Sequence, residues 1–284
     1  MMQEIEFIKF NPTENMTVLV KTKHFMEEYE DIAAKIMAYS CLNAEQVGFI
    51  EEPQMTGTDS RLQMAGGEFC GNACMSLAAF IASGKMLSPD CSTTILMEVS
   101  GTDELVRCNV KNVMGLYRCN MTVPKPTKIE KQTWVVEGEE LLITMIYYQE
   151  AVHAVWETGE LNPSLRRKAE TLAQSINSSY EVNLVGVLLY DLETGELSPL
   201  IYVPDLNSMM WERGCGSGTG SLGAYLAWKQ QACISQPVKQ PGGEMHVKTE
   251  WSAGAITEVK IEGTVGIVAE GKAFIQMIEE EVVG

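Results

Sequence analysis

The sequence predicts an α/β (α+β) protein of two pseudo-symmetric halves, each a curved, barrel-like sheet around a central helix. One observation is a repeated motif, "EFCGNACMSLAAFIASGK" from Glu68 and "RGCGSGTGSLGAYLAWKQ" from Arg213, in which Cys-Gly opens a helix of small residues. Cys215 follows Cys70 by 145 residues, close to half of the 284-residue chain. A second observation is that both halves give the order strands, helix, strands, central helix, strands.

In the first half, strand patterns surround one amphipathic helix. Residues 4–10 and 16–22 either alternate apolar and polar side chains or form apolar runs with β-branched residues. This pattern predicts two strands joined by the turn "NPTEN". Residues 26–40 place apolar side chains on one stripe at helical spacing, which predicts a helix. Further strands are predicted, in chain order, at "EQVGFIE", "RLQM", "TTILMEVS", "ELVRCNV" and "GLYRCNMTV", with the Cys70 helix after "RLQM".

A boundary between the halves is predicted at "PKPTKIEKQ", because its prolines and lysines interrupt both the helical and the strand period. We therefore assign residues 1–123 plus 265–284 to an N-terminal half that contains the Cys70 helix. Residues 124–264 are assigned to a C-terminal half that contains the Cys215 helix.

The second half repeats the pattern of the first. Asn162 followed by Pro163 predicts the cap and first turn of its amphipathic helix. Its strands are predicted at "LLITMIYYQ", "AVHAVWE", "LVGVLLY", "PLIYVP", "PGGEMHVKT" and the segment from "TEVKIEG" to "KAFI". Alanine and glycine on several faces of both Cys-Gly helices suit helices that strands enclose on all sides.

Composition narrows the class of partner. A net charge of -17 and an isoelectric point near 4.6 argue against nucleic acid and against anionic membrane surfaces. The sequence contains no apolar run of about 18 residues, so no membrane span is predicted. The start of the sequence lacks the pattern of a secretory leader, so we expect a cytoplasmic protein that acts on a small molecule.

The eight cysteines are predicted to be reduced, and no metal site is predicted. No CxxC pair occurs, and the three histidines are scattered and distant from cysteine clusters. A zinc site would therefore need the fold to assemble dispersed ligands. A thiol-rich metal-binding or redox protein remains the alternative from a different functional class.

The two Cys-Gly turns can serve acid–base chemistry. A cysteine just before a helix experiences the positive end of the helix dipole, which lowers its thiol pKa. The backbone N–H groups that follow each cysteine have no partner within the helix, and together they can hold one carboxylate. These groups belong to Gly71, Asn72, Gly216 and Ser217.

Facing cysteines predict inversion of a stereocentre by two bases. One thiolate would remove the proton from the carbon next to the bound carboxylate, and the other thiol would deliver a proton to the opposite face. Each cysteine alone is more readily explained as a small buried hydrophobic residue. The repeated context of Cys70 and Cys215 favours the catalytic interpretation.

The sequence resembles the diaminopimelate epimerase superfamily of cofactor-independent racemases. The shared motifs are "NPTENMTVLV", "EQVGFIE", "FCGN", "CGSGT" and "PGG", and the resemblance extends over nearly the whole chain. It implies a diaminopimelate epimerase-like fold and a two-base mechanism without pyridoxal phosphate, metal or other cofactor. It also implies that Cys70 and Cys215 are the bases, and that Asn15 and Gln46 occupy substrate-binding positions.

The arginine with which the epimerase binds a distal carboxylate has no counterpart here, because the matching strand end is Tyr202-Val203-Pro204. Within the superfamily the motifs resemble most closely the histidine racemase branch, which implies interconversion of L- and D-histidine. Glu45 would then bind the imidazole or the ammonium group of the substrate. Diaminopimelate epimerase and proline or hydroxyproline racemase remain alternative activities. The predicted protein partner is a second copy of the chain, which would give a homodimer.

Overall fold

The computed structural model describes residues 2–85 and 91–276, which contain four α-helices and two β-sheets. The helices are α1 (Tyr29–Met37), α2 (Gly71–Gly84), α3 (Pro163–Ser179) and α4 (Gly216–Gln230). The strands before α3 are β1 (Met2–Pro12), β2 (Thr17–Val20), β3 (Gln46–Glu51), β4 (Ser60–Met64), β5 (Ser92–Val99), β6 (Val106–Val113), β7 (Leu116–Val123), β8 (Lys128–Val136), β9 (Glu139–Tyr147) and β10 (Ala151–Thr158). Those after α3 are β11 (Leu184–Asp191), β12 (Leu197–Val203), β13 (Ser208–Trp211), β14 (Ile234–Gln240), β15 (Gly243–Ser252) and β16 (Ala255–Gln276).

The first sheet closes into a barrel around α2. Its strand order is β1-β2-β3-β4-β5-β6-β7-β16-β15-β14, and β1 also pairs with β16. The long strand β16 pairs with β7 through residues 259–265 and with β1 through residues 265–276. Strands β1 to β7 and β16 therefore form a ring, and α2 contacts all of them. The predicted barrel around a central helix is confirmed.

The second sheet and the end of the first enclose α4 in the same way. The six-stranded sheet has the order β13-β12-β11-β10-β9-β8. Helix α4 contacts β9, β10 and β11 on one side and β14, β15 and β16 on the other. The two central helices are thus buried in corresponding surroundings, as the repeated motif predicts.

Glycine in α4 is required by the close approach of the strands. A Cβ atom on Gly223 would lie 2.3 Å from Cγ2 of Val247 on β15, and one on Gly220 would lie 2.9 Å from Cγ2 of Val123 on β7. Neither position leaves room for a side chain. Small residues on several faces of this helix are therefore a packing requirement of the fold.

The outer helices differ little from prediction. Helix α1 begins at Tyr29 rather than at residue 26, because Met26–Glu28 form a 3-10 turn and Met26 is exposed. Helix α3 begins as predicted, since the Asn162 side chain accepts hydrogen bonds from the N–H groups of Ser164 and Leu165. Each outer helix packs its apolar stripe against the outside of a sheet.

Three strands, β8, β13 and β14, have no counterpart in the prediction. Strand β13 has four half-buried residues, too few for a pattern of period two. Strand β14 contains Pro237, which interrupts the pattern but is tolerated because β14 lies at the edge of its sheet. Strand β8 begins at Lys128, inside the segment interpreted as a boundary.

The division into 1–123 plus 265–284 and 124–264 stays a prediction, because β16 continues without interruption through residue 265. Residues 277–284, which that division assigns to the N-terminal half, lie outside the described residues. Across the described ranges, every helix is too short or too polar to traverse a bilayer.

Candidate active site

Helices α2 and α4 meet at their N-termini, and each begins at a cysteine. Cys70 and Cys215 are the N-cap residues, with nearly identical backbone angles (φ -124°, ψ 108° and φ -125°, ψ 113°). Each sulfur accepts a hydrogen bond from the backbone N–H three residues later, Ala73 at 3.3 Å and Gly218 at 3.2 Å. The repeated motif thus folds into two equivalent caps.

Two glycines allow the helix ends to approach. A Cβ atom on Gly71 would lie 3.2 Å from the carbonyl carbon of Gly216, and one on Gly216 would lie 3.1 Å from the Cα atom of Gly71. The positive ends of the two helix dipoles therefore face one region, with the first N–H groups of both helices free of intrahelical acceptors. Such a pair of helix ends suits an anionic group such as a carboxylate.

One cavity brings together nearly all of the predicted site residues. Its volume, counted out to its mouth, is about 540 Å³. Eight of the nine predicted site residues line it: Glu45, Gln46, Cys70, Gly71, Asn72, Cys215, Gly216 and Ser217. The rest of the wall is largely apolar and includes Met37, Val203, Leu206 and Met210.

Asn15, the ninth predicted residue, supports the cavity from behind. Its Nδ2 atom donates to the carbonyl oxygen of Gly214 at 2.9 Å, and Nδ2 of Asn72 donates to the same oxygen at 2.7 Å. The N–H of Cys215 donates to Oε1 of Gln240 at 2.7 Å. These bonds fix the turn before α4 against the first barrel, and they position Cys215.

Gln46 links one cysteine to a buried carboxyl group. The Cys70 thiol donates to Oε1 of Gln46 at 2.8 Å, and Nε2 of Gln46 donates to Oε1 of Glu212 at 2.5 Å. The negative charge of Glu212 also acts on the Cys215 thiol and raises its pKa. Glu212 thus acts on Cys215 through its charge and connects to Cys70 through Gln46.

The pKa values of the two cysteine thiols are raised, whereas the sequence predicted that they would be lowered. Burial, and next the negative charge of Glu212, raise the pKa of Cys70 and of Cys215 well above the ordinary value. The bonds from Ala73 and Gly218 lower each pKa, but by less. The prediction of a lowered pKa is wrong, because it included the helix end and not the desolvation of the charged form.

Sequence reasoning missed two acidic residues of this cavity, Glu68 and Glu212. They are 6% and 4% exposed, and burial raises the pKa of each to about 7. The sequence does show an acidic residue shortly before each Cys-Gly pair, in an otherwise apolar or glycine-rich stretch, and this pattern could have indicated both as site residues.

We predict that these two carboxyl groups make stability depend on pH. The folded protein holds their protons up to about pH 7, whereas the unfolded chain releases them near pH 4.5. Their contribution is therefore fully present below pH 4.5 and is lost as the pH rises toward 7, by about 3 kcal/mol per group. Denaturant unfolding of the wild type and of the E68Q/E212Q double variant should diverge across this range, with the wild type losing more stability. Parallel curves would contradict the assignment.

A second prediction concerns the contact between the helix ends. Gly71→Ala should push α2 and α4 apart by a few tenths of an ångström and lower kcat/KM for the reaction catalysed in this cavity about tenfold, since small displacements of reacting groups are costly. Gly84→Ala is the matched control, because it lies in the same helix and its Cβ would meet nothing within 4 Å. Equal activity of the two variants would show that the contact is unimportant.

A second, smaller cavity adjoins the first, with which it shares Phe69, Leu184 and Ser217 in its wall. It contains His153, whose Nδ1 lies 2.6 Å from Oγ of Ser221. Burial lowers the pKa of His153 to about 4, so its imidazole is neutral. This histidine is thus held in a hydrogen-bonded, packed position, in keeping with a structural role.

Within residues 2–85 and 91–276, no three His, Cys, Asp or Glu side chains are grouped as metal ligands. All eight cysteines are free, and Cys74 is fully buried in the packing of α2, as predicted.

The family model described as the histidine racemase CntK N-terminal domain matches residues 4–274. The chain belongs to the histidine racemase family. A histidine racemase of Staphylococcus aureus is 35% identical over 276 residues, which cover 96% of this chain and 99% of that protein. A histidine racemase of Fusobacterium nucleatum is 30% identical over 277 residues, covering 96% and 98%. The predicted membership of the histidine racemase branch is confirmed.

The fold of this histidine racemase family member is shared with a solved hydroxyproline epimerase of Agrobacterium vitis. The two structures superpose with a TM-score of 0.73 over 96% of this chain and 93% of the epimerase chain, at 12% sequence identity. At that identity the likeness concerns the fold alone. It agrees with the predicted class of two pseudo-symmetric α/β halves.

Proposed function

We propose that this protein interconverts L- and D-histidine by a two-base thiol/thiolate mechanism, without pyridoxal phosphate or a metal ion. The observation that carries the proposal is that Cys70 and Cys215, the caps of two abutting helices, line one cavity. Histidine as the substrate comes from the curated relatives, which are named histidine racemases.

The substrate carboxylate would lie between the two helix ends. The N–H groups of Gly71, Asn72, Gly216 and Ser217 would donate to it. These donors stabilise the additional negative charge that develops on the carboxylate when the α-carbon loses its proton. The side chains of Asn15 and Asn72 help to keep the two helix ends in this arrangement, because they hold the turn that carries Cys215.

Proton transfer then follows from the symmetry of the two caps. One cysteine thiolate takes the α-proton and becomes a thiol, and the electron pair of the C–H bond delocalises into the carboxylate. The thiol of the other cysteine gives its proton to the opposite face of the carbon and becomes a thiolate. The two cysteines exchange roles in the reverse direction.

Glu212 can supply the reactive protonation state. Its charge acts on the Cys215 thiol, and its carboxylate can take that proton when substrate binds. The ammonium group of the substrate brings a positive charge into a cavity lined by Glu45 and Glu212, which compensates for the desolvated thiolate. Substrate binding would thus oppose the burial that raises both thiol pKa values.

Two alternative substrates are less well supported. Diaminopimelate carries a second carboxylate, and no lysine or arginine of the described residues lines the cavity to pair with it. Proline and hydroxyproline remain alternatives because of the shared fold. Proline brings two N–H donors and hydroxyproline one O–H more, which is fewer than the ammonium and imidazole N–H groups of histidine offer to the buried oxygens of the cavity.

Deuterium exchange tests the proposed function. In D₂O the enzyme should replace the α-proton of L-histidine and of D-histidine, as followed by NMR, and chiral chromatography should show the opposite enantiomer. L-Proline, trans-4-hydroxy-L-proline and LL-diaminopimelate should exchange at least about 100-fold more slowly. Faster exchange of any of these would replace histidine as the substrate, and no exchange of any amino acid would remove the racemase proposal.

We also propose a cytoplasmic location, where the eight free cysteines would stay reduced. In the proposed mechanism each of the two predicted halves of the protein contributes one cysteine. Assembly as a homodimer stays a prediction, for which light scattering of the purified protein is the direct measurement.

A further inference from the structure

The cavity contains more hydrogen-bond acceptors than an amino-acid backbone can satisfy. Four of its side chains end in a buried oxygen atom without a partner: Glu45 Oε2, Glu68 Oε2, Asn72 Oδ1 and Glu212 Oε2. The Asn72 oxygen is an acceptor, and the three carboxyl oxygens are acceptors when their groups are ionised. An α-ammonium group brings three N–H donors, so at least one acceptor needs a donor from the substrate side chain.

Glu68 lies at the apolar wall of the cavity, two residues before Cys70. A Cβ atom on Gly66 would lie 2.5 Å from Cγ1 of Val203 and 2.9 Å from Oε2 of Glu68, so these two atoms are neighbours. Glu212, in contrast, is hydrogen-bonded to Gln46, which in turn accepts from the Cys70 thiol. Glu212 is therefore linked to the reacting thiols, whereas Oε2 of Glu68 lies beside the apolar wall, which suits a substrate side chain.

The backbone that carries Glu68 is held in place. Oγ of Ser100 donates to the carbonyl oxygen of Glu68 at 2.8 Å and accepts from the N–H of Met64 at 3.0 Å. A Cβ atom on Gly101 would lie 2.2 Å from the Phe69 nitrogen, so the turn at Gly101 packs directly on this segment. The carboxyl group thus projects from a fixed segment, and at 6% exposure it cannot be satisfied by bulk water.

We propose that Glu68 determines the specificity for the side chain, by accepting a hydrogen bond from an imidazole N–H of the substrate. The inference rests on the proposed function and deepens it. An imidazole presents apolar ring faces, which suit Val203 and Leu206, and an N–H at its edge, which suits the carboxylate. A ring without N–H would leave Oε2 of Glu68 unpaired and would bind less well.

The test compares L-histidine with β-(2-thienyl)-L-alanine, whose five-membered aromatic ring has a similar shape and no N–H. The measured quantity is the ratio of kcat/KM for α-proton exchange of the two amino acids. We expect Glu68→Leu to lower this ratio about 100-fold and Glu68→Gln, which keeps an acceptor but loses the charge, about tenfold. Asp205→Asn is the control, since this carboxyl group acts on Glu68 only through its charge and does not line the cavity.

The outcomes separate the two proposals. A purely structural role of Glu68 would lower both rates together and leave the ratio within threefold of the wild type, which would overturn the inference. If Glu68→Leu does not fold, the ratio for Glu68→Gln decides by the same criterion. If the wild type exchanges histidine but the ratio is unchanged, only the role of Glu68 fails. If the wild type exchanges no histidine, the proposed function fails and the inference fails with it.

Discussion

Cys70→Ala and Cys215→Ala are each expected to lower the racemisation of histidine by about 10³-fold or more. The reason is that, in the proposed mechanism, each sulfur serves one face of the α-carbon, and among the described residues that line the cavity only these two are bases placed at a helix cap. Racemisation needs both faces, so either change alone should abolish it in both directions. Chiral chromatography of product from each enantiomer measures this directly.

Single-face exchange gives a sharper version of the same test. A variant that keeps one cysteine should still exchange the α-proton of one enantiomer with D₂O while forming none of the other. The two variants should show opposite preferences. Cys74→Ala is the matched control, because Cys74 lies one turn further in α2, is fully buried and does not line the cavity. Near-normal turnover of either cap variant would exclude the two-base mechanism.

Glu212→Gln is expected to lower kcat about 100-fold, the second largest effect. The amide fits the same space but cannot take the proton of the Cys215 thiol. The wild-type rate should rise with pH through about 7, as the Glu212 carboxyl group ionises, and the variant should lack that rise. The pH profile therefore distinguishes proton transfer from a loss of packing, which would lower the rate equally at every pH.

The control for Glu212 is Glu193→Gln, which removes an exposed carboxyl group of the turn after β11. It should leave the rate and the pH profile unchanged. Retention of the pH dependence in Glu212→Gln would assign that dependence to another group, and Glu212 would then only position Gln46 and Cys215.

Local sequence signals predicted the parts of the fold and site that depend on local structure. The helix starts at Cys70, Cys215 and Asn162 follow from residues within one turn, and the structure has them as predicted. The gathering of eight predicted residues in one cavity followed from a repeat and a family resemblance, both of which report on the whole chain.

What remained hidden depends on distant contacts. Nothing local shows that Glu68 and Glu212 are buried, since each is made inaccessible by strands far away in the sequence. The same burial raises the pKa of both cysteines, contrary to the prediction, because desolvation of the thiolate outweighs the stabilising effect of the helix N-terminus. Strand β14 was missed because its proline is tolerable only at a sheet edge, and edge position is a property of the assembled sheet.

The course of β16 has a consequence for how the protein forms during synthesis. The first barrel is complete only when residues 265–276 pair with β1, although its other strands end at Val123. A ribosome must therefore translate the intervening segment before the earliest strand finds its second neighbour. We expect the nascent N-terminal portion to wait as an open, incompletely paired sheet, and both halves to reach the native state in one late, cooperative event.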